Sequence, residues 1–361
     1  MPHLLEPLRF CHGPIMKNRF MLAPLTNQQS HDDGQLSDEE FRWLTMRARG
    51  GFGLTMTCAS HVQAIGKGFP GQLGIWSDDH VPGLRRLATA ITSQHSIAIT
   101  QLHHAGMRSP KEVIGDTPVC PSDNEKTGAR GLTHGEVTQL IADFVEAAVR
   151  ADKAGFDGVE LHGAHSYLLC QFLSAQFNRR DDEYGGSLAN RSRVLFEIID
   201  GVRRRCRKDF MLGVRLSPER FGMKLGEAIQ IAQRLMADNT IDFLDMSLWD
   251  VFKEPEDTEY QGRTLMSYFT ELDRQHTRLG VAGSIRTPRQ AEATLAAGAD
   301  WIILGQAAMI QHDFPNRYMA DASFKPIELP LTTQYLSDQG LSENFQAYVR
   351  GRWPEFFADE Q

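Results

Sequence analysis

Residues 157–193 read DGVELHGAHSYLLCQFLSAQFNRRDDEYGGSLANRSR, and the first eleven of them set a strand, a turn and three polar rings end to end. Residues 157–161 have the short apolar character of a buried strand, with His162 at its C-terminal end. Gly163 is free to turn the backbone there, which brings His162, His165 and Tyr167 round one point above the strand end. Imidazole N–H groups hold a developing oxyanion in a dry site, and a phenol of pKa about 10 delivers a proton to carbon at neutral pH. Alone, each ring reads as a satisfied loop or packing residue. Three of them at one strand end read as a site on a parallel barrel, suited to reducing a polarised double bond.

Outward from this segment the same strand-then-helix pattern recurs. Apolar runs at 20–23, 53–57, 97–102, 157–161, 210–214, 242–246, 279–282 and 301–304 make eight predicted strands. Amphipathic stretches lie between them: 137–154 behind a THGE start, 191–205, 224–238, and 288–297 ended by Gly298. Eight such units predict an α/β fold, a single-domain (β/α)8 TIM barrel spanning residues 1–361. Two connections exceed what a barrel needs, 103–132 after the third strand and 247–272 after the sixth. The second carries Trp249, Phe252, Tyr260 and Phe269 and reads as the better lid.

Composition narrows the function. A formal charge of -8 argues against a nucleic-acid surface. Cys11, Cys58, Cys120, Cys170 and Cys206 lack metal spacing, so no metal site is expected. No secretory start or long apolar span is present, which predicts a cytoplasmic protein with no membrane partner. Neither GxGxxG nor a P-loop occurs, so a phosphate must be held by the barrel itself. Gly283 after the seventh strand and Gly305 after the eighth free the backbone to approach an anion.

The run HGAHSY, followed by FLS, NRRDDEYGG and ANRSR, resembles the old yellow enzyme family of FMN-dependent ene-reductases, and the resemblance extends over about residues 18–315. It implies FMN as cofactor, NADH or NADPH as co-substrate, and an enone-like small molecule as acceptor. By the resemblance, His162 and His165 polarise the substrate oxygen, flavin N5 delivers hydride to the β-carbon, and Tyr167 protonates the α-carbon. Pro24, Leu25 and Thr26 would lie against the isoalloxazine, Ala59 under it, Gln101 at its pyrimidine edge, and Arg215 beside N1 and the C2 carbonyl. A guanidinium there would favour the anionic reduced flavin, whereas pairing with a carboxylate in the barrel mouth is the structural alternative for Arg215.

Departures from the family pattern also count. Gln306 stands where an Arg often meets the phosphate, and Arg286 either compensates from the neighbouring loop or is an exposed, solvated cation before a helix. Met107 takes a usual Arg position and shifts the charge to Arg108, and Gln28 stands near the place of a second active-site Tyr. Residues 325–361 form a C-terminal extension in which Arg350, Arg352 and Trp353 either reach a neighbouring subunit of a homodimer or higher oligomer, or pack on their own barrel. Alternative readings are action on nitro compounds or nitrate esters, oxidative demethylation, and a non-catalytic flavin-binding or ligand-sensing barrel.

Overall fold

In the computed structural model residues 3–358 are described, so both chain ends, including the last three residues of the extension, lie outside the described residues. The barrel strands are β1 (Phe20–Leu22), β2 (Leu54–His61), β3 (Ile97–His103), β4 (Gly158–Gly163), β5 (Met211–Leu216), β6 (Phe243–Ser247), β7 (Arg278–Ala282) and β8 (Trp301–Leu304). Neighbours pair in parallel and β8 closes on β1. The expected (β/α)8 fold is therefore the observed one. Three strands, β2, β4 and β5, run two or more residues past their apolar runs. β2 continues to His61 through an irregularity between Met56 and Ala59, and β4 keeps His162 and Gly163 in register with Arg215 and Leu216.

The helices that shape the argument are α1 (Asp38–Arg49), α2 (Val81–Thr92), α3 (His134–Ala154), α4 (Leu168–Leu173), α5 (Arg193–Arg205), α6 (Leu225–Ala237), α7 (Pro288–Ala296), α8 (Gln306–Ile310) and α9 (Glu343–Arg352). The THGE start is a capping box between Thr133 and Glu136, which satisfies two orphan donors and stabilises α3 by about 1 kcal/mol. It starts the helix at His134, ahead of the apolar periodicity. The sixth unit departs from the repeat. After β6 the chain forms two short helical turns, Thr258–Tyr260 and Ser267–Thr270, inside the long 247–272 connection.

Inside the barrel, Met21, Met56, Ile99, Met211, Phe243 and Trp301 pack as one apolar plug, and Leu8 and Met16 close it from the N-terminal side. This plug leaves only the C-terminal mouth open for polar groups. A larger apolar layer joins the strands to the helices. Arg47 of α1 is buried in that layer and donates to the carbonyls of Ala308, Met309 and Gln339. It thus ties α1 to α8 and to the chain leading into α9. Among the described residues no helix is long and apolar enough to cross a membrane.

Candidate active site

Parallel pairing stacks strand-end residues in layers. Ala59 pairs with Gln101 and Gln101 with Glu160, while His162 pairs with Arg215 and Arg215 with Asp245. Pro24, Leu25 and Thr26 follow β1, Gly283 follows β7, and Gly305 and Gln306 follow β8. All of these border one cavity of about 740 Å³ together with Ala59, Gln101, His162, His165, Tyr167 and Arg215. The residues singled out in the sequence therefore meet at one place. Its size lies within the range of ligand sites.

The polar rings sit on one side of this cavity. His162 and His165 have ring centroids 5.1 Å apart, and Tyr167 lies 5.2 Å from His162 and 4.3 Å from the edge-on ring of His103. His162 Nε2 is 3.2 Å from His165 Nδ1, and His165 Nε2 is 2.7 Å from Ser247 Oγ. Burial holds both imidazoles well below the usual histidine range, and the cations Arg215 and Arg108 push the same way. Both rings are thus neutral at physiological pH and can share N–H donors without a formal charge.

The turn after β4 is made differently from the expectation at Gly163. That glycine stays in the strand, where a Cβ would come within 3.0 Å of the Arg215 carbonyl, so it serves close packing on β5. The chain turns two residues later, with His165 at φ 60° and Ser166 at φ 59°, and the His165 N–H donates to Ser217 Oγ. Gln28, Arg220, Phe221, Trp249 and Ser284 also take left-handed conformations in the loops after β1, β5, β6 and β7. Each such residue costs about 1–2 kcal/mol, and the concentration at one mouth marks where the scaffold absorbs strain to aim side chains.

The cavity floor carries charge. Arg215 is 5% exposed, and its Nε lies 3.4 Å from Asp245 Oδ2, so the carboxylate pairing weighed as an alternative coexists with a place on the cavity wall. Asp245 in turn meets Glu160, and Gln101 donates its Nε2 to Glu160 Oε1 at 2.6 Å rather than to backbone. Burial, then the neighbouring Asp245, pushes the Glu160 carboxyl well above the usual range, and burial raises Asp245 as well.

At the opposite end, Gln306 accepts from Arg286 Nη2 at 2.5 Å. The guanidinium from the loop after β7 thereby stands beside the residue that replaces the family's usual Arg. Gly283 has a packing reason as well, because a Cβ would lie 2.9 Å from the Asp250 backbone N. Gly305 has open surroundings, with Leu25 Cδ2 at 3.6 Å from the same notional atom.

The largest addition to the sequence reading is the tail. Tyr348, Arg352, Trp353 and Glu355 all border the chain's own cavity, which Thr26 also lines. Tyr348 went unnoticed because nothing local marks it. It brings a phenol to the neighbourhood where the loop after β1 has Gln28 instead. The expected aromatic lid contributes less, with Trp249 at the cavity and Phe269 buried in the core.

Residues 3–322 match the NADH:flavin oxidoreductase / NADH oxidase family. The probable NADH-dependent flavin oxidoreductase YqiG of Bacillus subtilis is 36% identical over 318 residues, covering 85% of each chain. An NADPH dehydrogenase of Listeria innocua is 33% identical over 325 residues, covering 87% of this chain and 94% of its own. The solved old yellow enzyme homologue from Zymomonas mobilis superposes with a TM-score of 0.80 at 30% identity, covering 94% of this chain and 99% of its own. The chain belongs to the NADH:flavin oxidoreductase family of old yellow enzymes. It is an NAD(P)H-dependent FMN oxidoreductase, which sets aside the reading as a non-catalytic barrel.

Proposed function

We propose that this enzyme reduces the C=C bond of α,β-unsaturated carbonyl compounds. The reading is carried by the juxtaposition of two neutral imidazoles and the Tyr167 phenol on one side of a cavity whose remaining wall suits a flavin. That wall includes the small residues Pro24, Ala59 and Gly283, and the buried Arg215 beside them pairs with Asp245 but leaves its Nε without a hydrogen bond. FMN fits this donor set. Pro24, Leu25 and Thr26 would hold its ring, Ala59 would lie under it, Gln101 and Arg215 would meet its pyrimidine edge, and Gly283, Gly305 and Gln306 with Arg286 would take the phosphate. When bound, FMN accepts hydride from NADH or NADPH and supplies it to the β-carbon of the acceptor.

The chain's own residues perform the rest. His162 and His165 bind the carbonyl oxygen and draw electron density from the double bond, making its β-carbon electrophilic. In the free site the two rings contact each other, so an oxygen that accepts from both displaces that contact, at a cost of about 1 kcal/mol. Tyr167 donates its O–H proton to the α-carbon, which completes a saturated product, and recovers a proton from water. Arg108 holds its guanidinium 4.5 Å over the Tyr167 ring, a cationic neighbour that stabilises the transient phenolate.

Anaerobic stopped-flow absorbance tests this reading. NADH or NADPH should bleach the flavin of the purified protein, and 2-cyclohexenone should restore its colour. Tyr167→Phe should slow recolouring by about 10²–10⁴-fold while sparing bleaching. Bleaching without recolouring by the enone would move the search to nitro compounds, and equal slowing of both phases would remove Tyr167 from proton transfer.

A further inference from the structure

We infer that Arg108 and Arg352 form an anion subsite at the substrate end of the cavity, so that the acceptor is an unsaturated carbonyl compound carrying a carboxylate. This deepens the ene-reductase reading and rests on it for the reacting double bond. The whole chain has a formal charge of -8, yet its cavity is bordered by five arginines, Arg108, Arg215, Arg220, Arg286 and Arg352, against one carboxylate, Glu355. An acidic protein that gathers cations at one mouth focuses a positive field there. Asp245 answers Arg215, Glu256 answers Arg220, and Arg286 stands beside Gln306 at the far end.

Arg108 and Arg352 are left over. Among the described residues neither makes an ion pair with a carboxylate. Arg108 is steered by the His165 carbonyl, at 2.6 Å from its Nη1, and by the Tyr167 ring, while Arg352 lies by the Trp353 ring. Both border the cavity that His162, His165 and Tyr167 also line, and both act electrostatically on His165. One comes from the loop after β3 and the other from α9. A carboxylate between them would accept from two guanidinium groups while the carbonyl of the same molecule reached the imidazoles. Each contact should contribute about tenfold in affinity.

The test uses a cyclohexenone with a carboxylate on a short saturated tether and its methyl ester, which share the same reacting bond. Pre-reduced holoenzyme should be reoxidised by the acid with a kcat/KM at least about tenfold above that of the ester, and the preference should shrink as ionic strength rises. In Arg108→Met, Arg352→Met and the double variant, kcat/KM for the acid should fall at least about tenfold more than for the ester. Equal wild-type rates for acid and ester would overturn the subsite. So would variants that raise only the KM for NAD(P)H, because the pair would then serve the dinucleotide pyrophosphate. If neither compound reoxidises the enzyme, the ene-reductase reading fails by itself. The subsite is then judged from the flavin spectrum, which the acid should perturb in the wild type and leave unchanged in the double variant, whereas no wild-type perturbation would end the proposal.

Discussion

The two carboxyls behind Arg215 set the charge on the cavity floor. Glu160 and Asp245 are both fully buried behind the Arg215 guanidinium, and burial raises both carboxyls, Glu160 the further because Asp245 repels its charged form. A carboxyl whose folded pKa is raised contributes its full stability below the unfolded value of about 4 and loses it as pH rises through the folded value. Glu160→Gln removes that loss and keeps an acceptor for Gln101. The variant should therefore be more stable than wild type at pH 8, with an advantage that shrinks towards pH 4, as read by urea unfolding of the purified protein. An advantage that grows on acidification would show Glu160 to be ionised. None of this pairing is visible along the chain, because Glu160 and Asp245 join only through strand register, whereas His162, His165 and Tyr167 are legible as neighbours in one short run.

At the scale of elements, α9 does what the long aromatic connection was expected to do. It sets Phe345 edge-on against Trp43 of α1, with ring centroids 4.9 Å apart, and this docking holds Tyr348 and Arg352 over the cavity. Phe345 is fully buried, so Phe345→Ala should cost about 3–5 kcal/mol of unfolding free energy in chemical denaturation. The same change should loosen α9 and weaken substrate binding more than flavin reduction, measured as a rise in acceptor KM in steady-state assays. The element pattern itself was readable: alternation of apolar strands with helices, the THGE cap and Gly298 all sit where the sequence put them. The weak helix after β6 and the left-handed turn at His165 and Ser166 were not, since long-range packing sets both.

For the whole molecule, burial of histidines controls its acid limit. His61, His103, His104 and His162 are buried and His165 is half-buried, and burial lowers all five, to about 4 for His61 and about 3 for His104. A histidine lowered in the fold takes up protons first in the unfolded chain, so stability is held above about pH 6.5 and is lost as pH falls from there towards the folded values. Thermal melting should thus show a Tm nearly level from pH 7 to 8 and falling steeply below about pH 6. A Tm unchanged down to about pH 5 would mean that these rings are charged or open in the folded protein. Local periodicity and short motifs, properties of neighbouring residues, determined by themselves the closed parallel barrel, the imidazole–phenol cluster at its fourth strand and the glycines after its last two strands. Tertiary structure alone decided that the tail returns over its own cavity, that Arg215 is backed by a buried carboxyl pair, and that Arg108 and Arg352 border the cavity of the imidazole–phenol cluster, because each of these joins residues that only barrel closure and helix docking bring within reach.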